Sequence, residues 1–194
     1  MAFTPKSGRG KSDGLYDEGF EKYRSRYSMD PSLSLPDLER ALINMAAAAS
    51  YLAARPDVDS KRMQIGGQSR GGIAESLYAC MQPKKFVRVV NFVGGWVGDR
   101  SSNAEAINRV SFKRAVAFAA PMLWLYGEND PCYQISHSQK NFDAFIKADG
   151  KGVFKIYTPT ESQGGHCILS MPELWRDALN DCLKAVTIAV GQIH

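Results

Sequence analysis

The sequence contains few of the residues that build metal centres or disulfide frameworks. Its three histidines and four cysteines include no C-x-x-C pair and no paired spacing typical of zinc ligands. We therefore expect no metal ion, and we interpret the cysteines as reduced thiols of an intracellular protein.

Signals for membranes, secretion and nucleic acids are also missing. No apolar run reaches the length of a transmembrane helix, and the first residues lack the apolar core of a signal peptide. The 24 Lys and Arg residues give a net charge of +4, but they are scattered and form no basic block. We expect a cytoplasmic protein that binds neither a membrane nor nucleic acid.

What the sequence does contain is a regular alternation of helical and strand-like segments. Its length of 194 residues and its 44% hydrophobic content suit one domain, 1–194, with an irregular segment at 1–36. Residues 97–114 are interpreted as one or two helices or a lid. The other predicted helices span 37–56, 70–82, 137–150 and 172–190, and the predicted strands span 61–68, 86–95, 121–127 and 152–158.

This order predicts an α/β fold, a mostly parallel sheet with helices on both faces. The runs at 86–95 and 121–127 are apolar throughout, as expected of strands buried on both faces. In such sheets the chemistry lies beyond the carboxyl ends of the strands. The loops there are Gly67–Gly71, Gly94–Trp96, Gly127–Pro131 and 159–167.

The loop Gly67-Gln68-Ser69-Arg70-Gly71 matches G-x-S-x-G between a strand and a helix. In that setting the pattern predicts a nucleophile elbow, a strained turn that exposes the serine hydroxyl. We expect the flanking glycines to be required because side chains there would collide with the neighbouring strand and helix. The backbone N–H of Arg70 is the expected oxyanion donor. A plain glycine-rich turn is the alternative interpretation.

Two residues in the order that a catalytic triad requires follow Ser69 along the chain. Asp130 follows the third strand, and His166 follows the fourth. A serine hydroxyl needs an imidazole to accept its proton and a carboxylate to orient that imidazole. The competing candidates are Glu128 for the acid, and His137 and His194 for the base.

These features resemble the dienelactone-hydrolase-like branch of the α/β hydrolases, in a subgroup with serine at the elbow. The matching stretches are 65-IGGQSRGG-72, 89-VVNFVGGW-96, 121-PMLWLYGENDPCY-133 and 164-GGHCILSMPELW-175. The resemblance implies hydrolysis of small carboxylic esters through an acyl-serine intermediate, without a metal or an organic cofactor. It implies Ser69 as the nucleophile, His166 as the base and then the acid, and Asp130 as the residue that orients His166.

An N-terminal stretch also resembles a family segment. Arg9-Gly10-Lys11-Ser12-Asp13-Gly14 is similar to the Arg-Gly-x-Gly-x-Ser loop that follows the fourth strand of many α/β hydrolases. A phosphate-binding loop is the alternative, but its first glycine would fall at Pro5 and no strand precedes it. The family alignment then implies a reduced, truncated fold that lacks the usual loop for the second oxyanion donor. A substitute would come from 9–30, from the side chains of Gln68 or Arg70, or from a second subunit.

The truncation has a second consequence, because it leaves the strand at 61–67 at an edge of the sheet. We therefore predict a homodimer or higher homo-oligomer. Gln68 and Trp96 are possible pocket residues, although Trp96 also suits the core. Cys132 and Cys167, next to the acid and the base, are interpreted as ordinary thiols. The alternative to an esterase is a catalytically impaired hydrolase that acts as a binding module.

Overall fold

The computed structural model describes residues 30–160 and 164–190, with side chains up to residue 184. The Arg9–Gly14 loop and His194 lie outside the described residues. In chain order the elements are α1 (Pro31–Ala53), β1 (Gln64–Gln68), α2 (Arg70–Met81), β2 (Arg88–Phe92), α3 (Ala104–Arg114), β3 (Met122–Gly127), α4 (Ile135–Lys147), β4 (Gly152–Tyr157), a 3-10 helix (Gly165–Ser170) and α5 (Pro172–Val190).

The first helix starts earlier than predicted. Asp30 caps it by accepting a hydrogen bond from the backbone N–H of Ser32, and Pro31 occupies its first position. Proline and an Asp cap both suit the start of a helix. The interpretation of 31–36 as irregular is therefore wrong, and neither Ser34 nor Asp37 caps the helix, since both are buried within it.

The four strands form one parallel sheet in the order β1-β2-β3-β4. Every residue of β2 and β3 is buried. Because successive strand residues point to opposite faces, both faces of these central strands are covered. This confirms the predicted α/β architecture.

Aromatic side chains fill the core beside β3. The Trp124 ring is fully buried, with its centroid 4.4 Å from that of Phe112, 5.2 Å from Phe142 and 5.3 Å from Phe145. These rings come from α3 and α4, so residues 97–114 contain a packed helix. No helix among the described residues is long and apolar enough to cross a bilayer.

Candidate active site

Ser69 occupies the sharp turn between β1 and α2. Its backbone dihedrals are φ 57° and ψ −122°, and residues other than glycine rarely adopt a positive φ. Its N–H donates to the carbonyl of Phe92 at 2.9 Å, and its carbonyl accepts from the N–H of Gly72 at 2.9 Å. The turn is thus held by the sheet on one side and by the helix on the other, the predicted geometry of a nucleophile elbow.

Two glycines let the chain pack closely around this turn. A Cβ on Gly67 would lie 2.6 Å from a carboxyl oxygen of Glu75 and 2.7 Å from the carbonyl carbon of Gly71. A Cβ on Gly72 would lie 2.9 Å from Gly94 Cα. The steric prediction therefore holds for Gly67 but is wrong for Gly71, where a Cβ would have no heavy atom within 4 Å.

Asp130 and His166 meet at the carboxyl ends of β3 and β4. His166 Nδ1 lies 3.1 Å from Asp130 Oδ1 and 3.0 Å from Oδ2. Asp130 Oδ1 also accepts hydrogen bonds from the backbone N–H groups of Cys132, at 2.7 Å, and Tyr133, at 3.0 Å. The Asp130 side chain is 1% exposed and that of His166 is 23% exposed. The carboxylate is therefore fixed and shielded, while the imidazole keeps access to solvent.

Tyr133 is linked to the Ser69 turn through Gly95. Its hydroxyl donates to the Gly95 carbonyl at 2.8 Å, and the Gly95 N–H donates to the Ser69 carbonyl at 3.1 Å. Burial raises the pKa of Tyr133 well above its usual range, so the phenol stays protonated at neutral pH. The hydrogen bonds of the described residues include none between Ser69 and His166. The structure joins the predicted base and acid directly, and it links Ser69 to Tyr133 through Gly95.

Other predicted site residues have structural partners of their own. Gln68 donates a side-chain hydrogen bond to the backbone carbonyl of His166, so it ties the elbow to the histidine loop. Trp96 is 1% exposed and its indole N–H donates to the Ser34 carbonyl at 2.9 Å, so it packs in the core, as its sequence setting also allowed. Arg70 packs on Trp96, with its guanidinium carbon 5.1 Å from the ring centroid and its Nε donating to the Trp96 carbonyl.

The backbone of Arg70 keeps the place that the sequence predicts. Arg70 is the first residue of α2, directly after Ser69. Its N–H belongs to the N-terminal turn of the helix, where the helix dipole favours a developing negative charge. The side chains of Gln68 and Arg70 are both engaged with backbone carbonyls, which weakens either as a substitute oxyanion donor.

The competing acid and base lie elsewhere. Glu128 accepts a hydrogen bond from the Thr158 hydroxyl at 2.8 Å and is exposed. His137 lies within α4, with Nε2 3.1 Å from Asn108 Nδ2, and burial lowers its pKa. His137 therefore does not open the helix as expected, and neither residue is hydrogen-bonded to the Asp130–His166 pair.

A thiol completes a set of possible metal ligands at the same place. One ligand atom each from Asp130, Cys132 and His166 lies within 4.8 Å of the others. Burial, and then the negative charge of Asp130, raise the pKa of the Cys132 thiol. A soft divalent cation here would compete with the proton that His166 shares with Asp130.

A polar layer beneath the elbow was not predicted from the sequence. Glu75 and Asn91 are both fully buried, next to Gly67 and Gly72 respectively. Neither carboxyl oxygen of Glu75 has a hydrogen-bond partner among the described residues. The only sequence signal was a carboxylate within the otherwise apolar stretch 73-IAESLYAC-80.

Comparison with solved structures identifies the fold. A protein described as a dienelactone hydrolase from Klebsiella pneumoniae is 24% identical, with a TM-score of 0.51 over 72% of this chain and 58% of the other. The Pyrococcus furiosus esterase Pf2001 is 14% identical, with a TM-score of 0.61 over 91% and 65%. A thermostable esterase is 18% identical, with a TM-score of 0.53 over 75% and 36%.

These similarities confirm the fold prediction. The chain has an α/β-hydrolase fold like that of these structures, and it spans less than two thirds of the length of each of them. No protein-family model and no curated protein matches the sequence. At these identities the likeness establishes the fold, and the activity has to be argued from the site.

Proposed function

We propose that this protein is a serine hydrolase that cleaves small carboxylic esters through an acyl-serine intermediate. Ser69 is the nucleophile, His166 is the general base and then the general acid, and Asp130 orients His166. The observation that carries the proposal is the pairing of His166 Nδ1 with the buried Asp130 carboxylate at 3.0 Å, at the same sheet edge as the strained Ser69 turn.

The pairing of His166 with Asp130 supports a definite path for each proton. Asp130 occupies the Nδ1 side of His166, which leaves Nε2 as the nitrogen that accepts the proton of Ser69. Ser69 Oγ attacks the ester carbonyl carbon while the Arg70 N–H stabilises the oxyanion. The protonated His166 then donates to the departing alkoxide, and an acyl-serine remains. Water, deprotonated at His166, hydrolyses the acyl group and regenerates Ser69.

One rearrangement is part of this mechanism. Because no hydrogen bond joins Ser69 to His166 among the described residues, the Ser69 hydroxyl has to turn its proton toward His166 before it attacks. A change of side-chain rotamer at a surface-accessible serine takes nanoseconds or less, so it does not limit turnover. Catalytic hydrogen bonds also often tighten only when substrate is bound.

A second candidate is a hydrolase fold that has become a binding module. The hydrogen bonds of the described residues include none between Ser69 and His166, which favours it, since a working triad needs that bond. The pairing of His166 with the buried Asp130 carboxylate opposes it, because it keeps the base and the acid of a triad together.

Hydrolysis of p-nitrophenyl acetate by the purified chain separates the two. Ser69→Ala should lower kcat at least about a thousandfold if the triad operates. Ser76→Ala is the matched control. Ser76 lies in α2, and its buried hydroxyl donates to the Gly72 carbonyl one turn earlier in that helix. Equal rates for wild type and Ser69→Ala would favour the binding module.

We also propose that a second copy of the chain covers β1. Among the described residues β1 pairs only with β2, which leaves its other edge without a partner strand. Light scattering on the purified protein should give the mass of a dimer or larger species. A monodisperse monomer would contradict this part of the proposal.

A further inference from the structure

Tyr133 contacts two residues of the candidate triad and is linked to the third through Gly95. Its backbone N–H donates to Asp130 Oδ1 at 3.0 Å, and its ring centroid lies 5.7 Å from that of His166, with the planes at 44°. Its hydroxyl bonds Gly95, which in turn bonds the backbone of Ser69. The side chain is 3% exposed, so these contacts are made away from water.

Gly95 anchors this tyrosine to the elbow. The Tyr133 hydroxyl donates to the Gly95 carbonyl at 2.8 Å, while the Gly95 N–H donates to the Ser69 carbonyl at 3.1 Å. A Cβ on Gly95 would lie 2.6 Å from Tyr133 Cζ, so the ring rests directly on the backbone. Ser69 and Tyr133 are therefore bonded to the same residue and have little freedom to move apart.

We propose that Tyr133 is a positioning residue that holds Ser69, His166 and Asp130 in register through its hydroxyl, ring and backbone N–H. The role rests on the proposed hydrolase function. Its hydroxyl holds the Gly95 carbonyl, and the Gly95 N–H in turn holds the Ser69 carbonyl, so Tyr133 acts on the nucleophile through Gly95. The proton of Ser69 passes to His166 during attack, and Tyr133 neither gains nor loses one.

Tyr126, a residue of β3, supplies a matched control. Its hydroxyl donates to the Gly94 carbonyl at 2.9 Å, just as that of Tyr133 donates to Gly95, and its side chain is 1% exposed. Its other side-chain hydrogen bond comes from Asn91 Nδ2 at 3.3 Å, which is outside the triad. Tyr126→Phe therefore removes the same kind of buried bond without disturbing a contact to Ser69.

The experiment measures kcat and KM on p-nitrophenyl acetate for wild type, Tyr133→Phe, Tyr126→Phe and Ser69→Ala. Tyr133→Phe should lower kcat about tenfold with little change in KM, because the hydrogen bond that holds Gly95 against the Ser69 turn is lost. Tyr126→Phe should keep kcat within about twofold of wild type, even if its melting temperature falls as far as that of Tyr133→Phe. Of the two tyrosine variants, only Tyr133→Phe should show slower modification of Ser69 by a fluorophosphonate.

Each of the other outcomes would overturn the positioning role of Tyr133, the proposed function, or both. Wild-type kcat in Tyr133→Phe, or equal losses in both tyrosine variants, would overturn the positioning role while leaving the hydrolase intact. A wild type without Ser69-dependent turnover would overturn the proposed function and this role with it. A changed number of ionisations in the pH–rate profile of Tyr133→Phe would also contradict it, because the proposed hydroxyl stays protonated throughout.

Discussion

Replacing Glu75 with glutamine should stabilise the protein increasingly as the pH rises. Glu75 lies in α2 beneath the elbow, fully buried, and neither carboxyl oxygen has a hydrogen-bond partner among the described residues. Burial raises the pKa of this carboxyl well above 4.5, its ordinary value. The side chain is therefore protonated in the folded state at pH values where it is ionised in the unfolded chain.

The sign and size of the effect follow from that difference in protonation. Between pH 4.5 and the raised pKa, the folded state binds a proton that the unfolded state has released. The unfolding free energy attributable to Glu75 falls there by about 1.4 kcal/mol for each pH unit, and the contribution is most favourable below pH 4.5. Glutamine has nearly the same shape and does not titrate, so the unfolding free energy of Glu75→Gln does not fall with pH for this reason.

Urea unfolding of both proteins between pH 5 and pH 8 measures the effect. The unfolding free energy of Glu75→Gln minus that of wild type should grow with pH, at a slope of up to about 1.4 kcal/mol per unit. Glu173→Gln, an exposed residue in the first turn of α5, is the control and should show no such growth. A difference that stays flat for Glu75→Gln across this range would refute the reasoning.

Three further predictions concern the elbow, the acid and the thiol. Gly72→Ala should destabilise the fold by about 1–3 kcal/mol in urea unfolding, because its Cβ would meet Gly94 Cα at 2.9 Å. Gly71→Ala lies in open space at the start of a helix, so it should be neutral or stabilise the fold by about 0.5–1 kcal/mol. The reverse order of stabilities would contradict the packing. Asp130→Asn should lower kcat on p-nitrophenyl acetate by roughly a thousandfold or more, because an amide cannot hold the same imidazole tautomer; a loss under tenfold would exclude Asp130 as the acid. Zn²⁺ should inhibit the proposed hydrolysis of p-nitrophenyl acetate, and Cys132→Ser should raise the inhibitory concentration about tenfold while Cys167→Ser should not. Equal inhibition of both variants would place the ion elsewhere.

Much of the fold could be predicted because its signals are local. The continuous apolar runs at 86–95 and 121–127 are typical of strands covered on both faces, and β2 and β3 are such strands. The elbow was predictable because G-x-S-x-G stands between a strand and a helix. The chain order then indicated Asp130 and His166, which the structure places in contact.

What could not be predicted depends on contacts between distant segments. Residues 31–36 contain two prolines and resemble a loop, yet an Asp cap and the burial of Ser34 and Asp37 against the core allow a helix there. Gln68 bonds a carbonyl 98 positions away, and no local pattern predicts that. The role of Tyr133 arises because the loops after β1, β2, β3 and β4 converge, and their spacing in the sequence does not show which side chains meet.

The most direct test of the central claim is the covalent modification of the intact protein by a fluorophosphonate, read by mass spectrometry. The account predicts one adduct per chain, located on the peptide that contains Ser69. The adduct should be absent from Ser69→Ala and should form at least about a hundredfold more slowly in His166→Ala, because the base that activates the hydroxyl is gone. No adduct on wild-type protein, or an adduct of equal rate without His166, would contradict a working Ser69–His166–Asp130 triad.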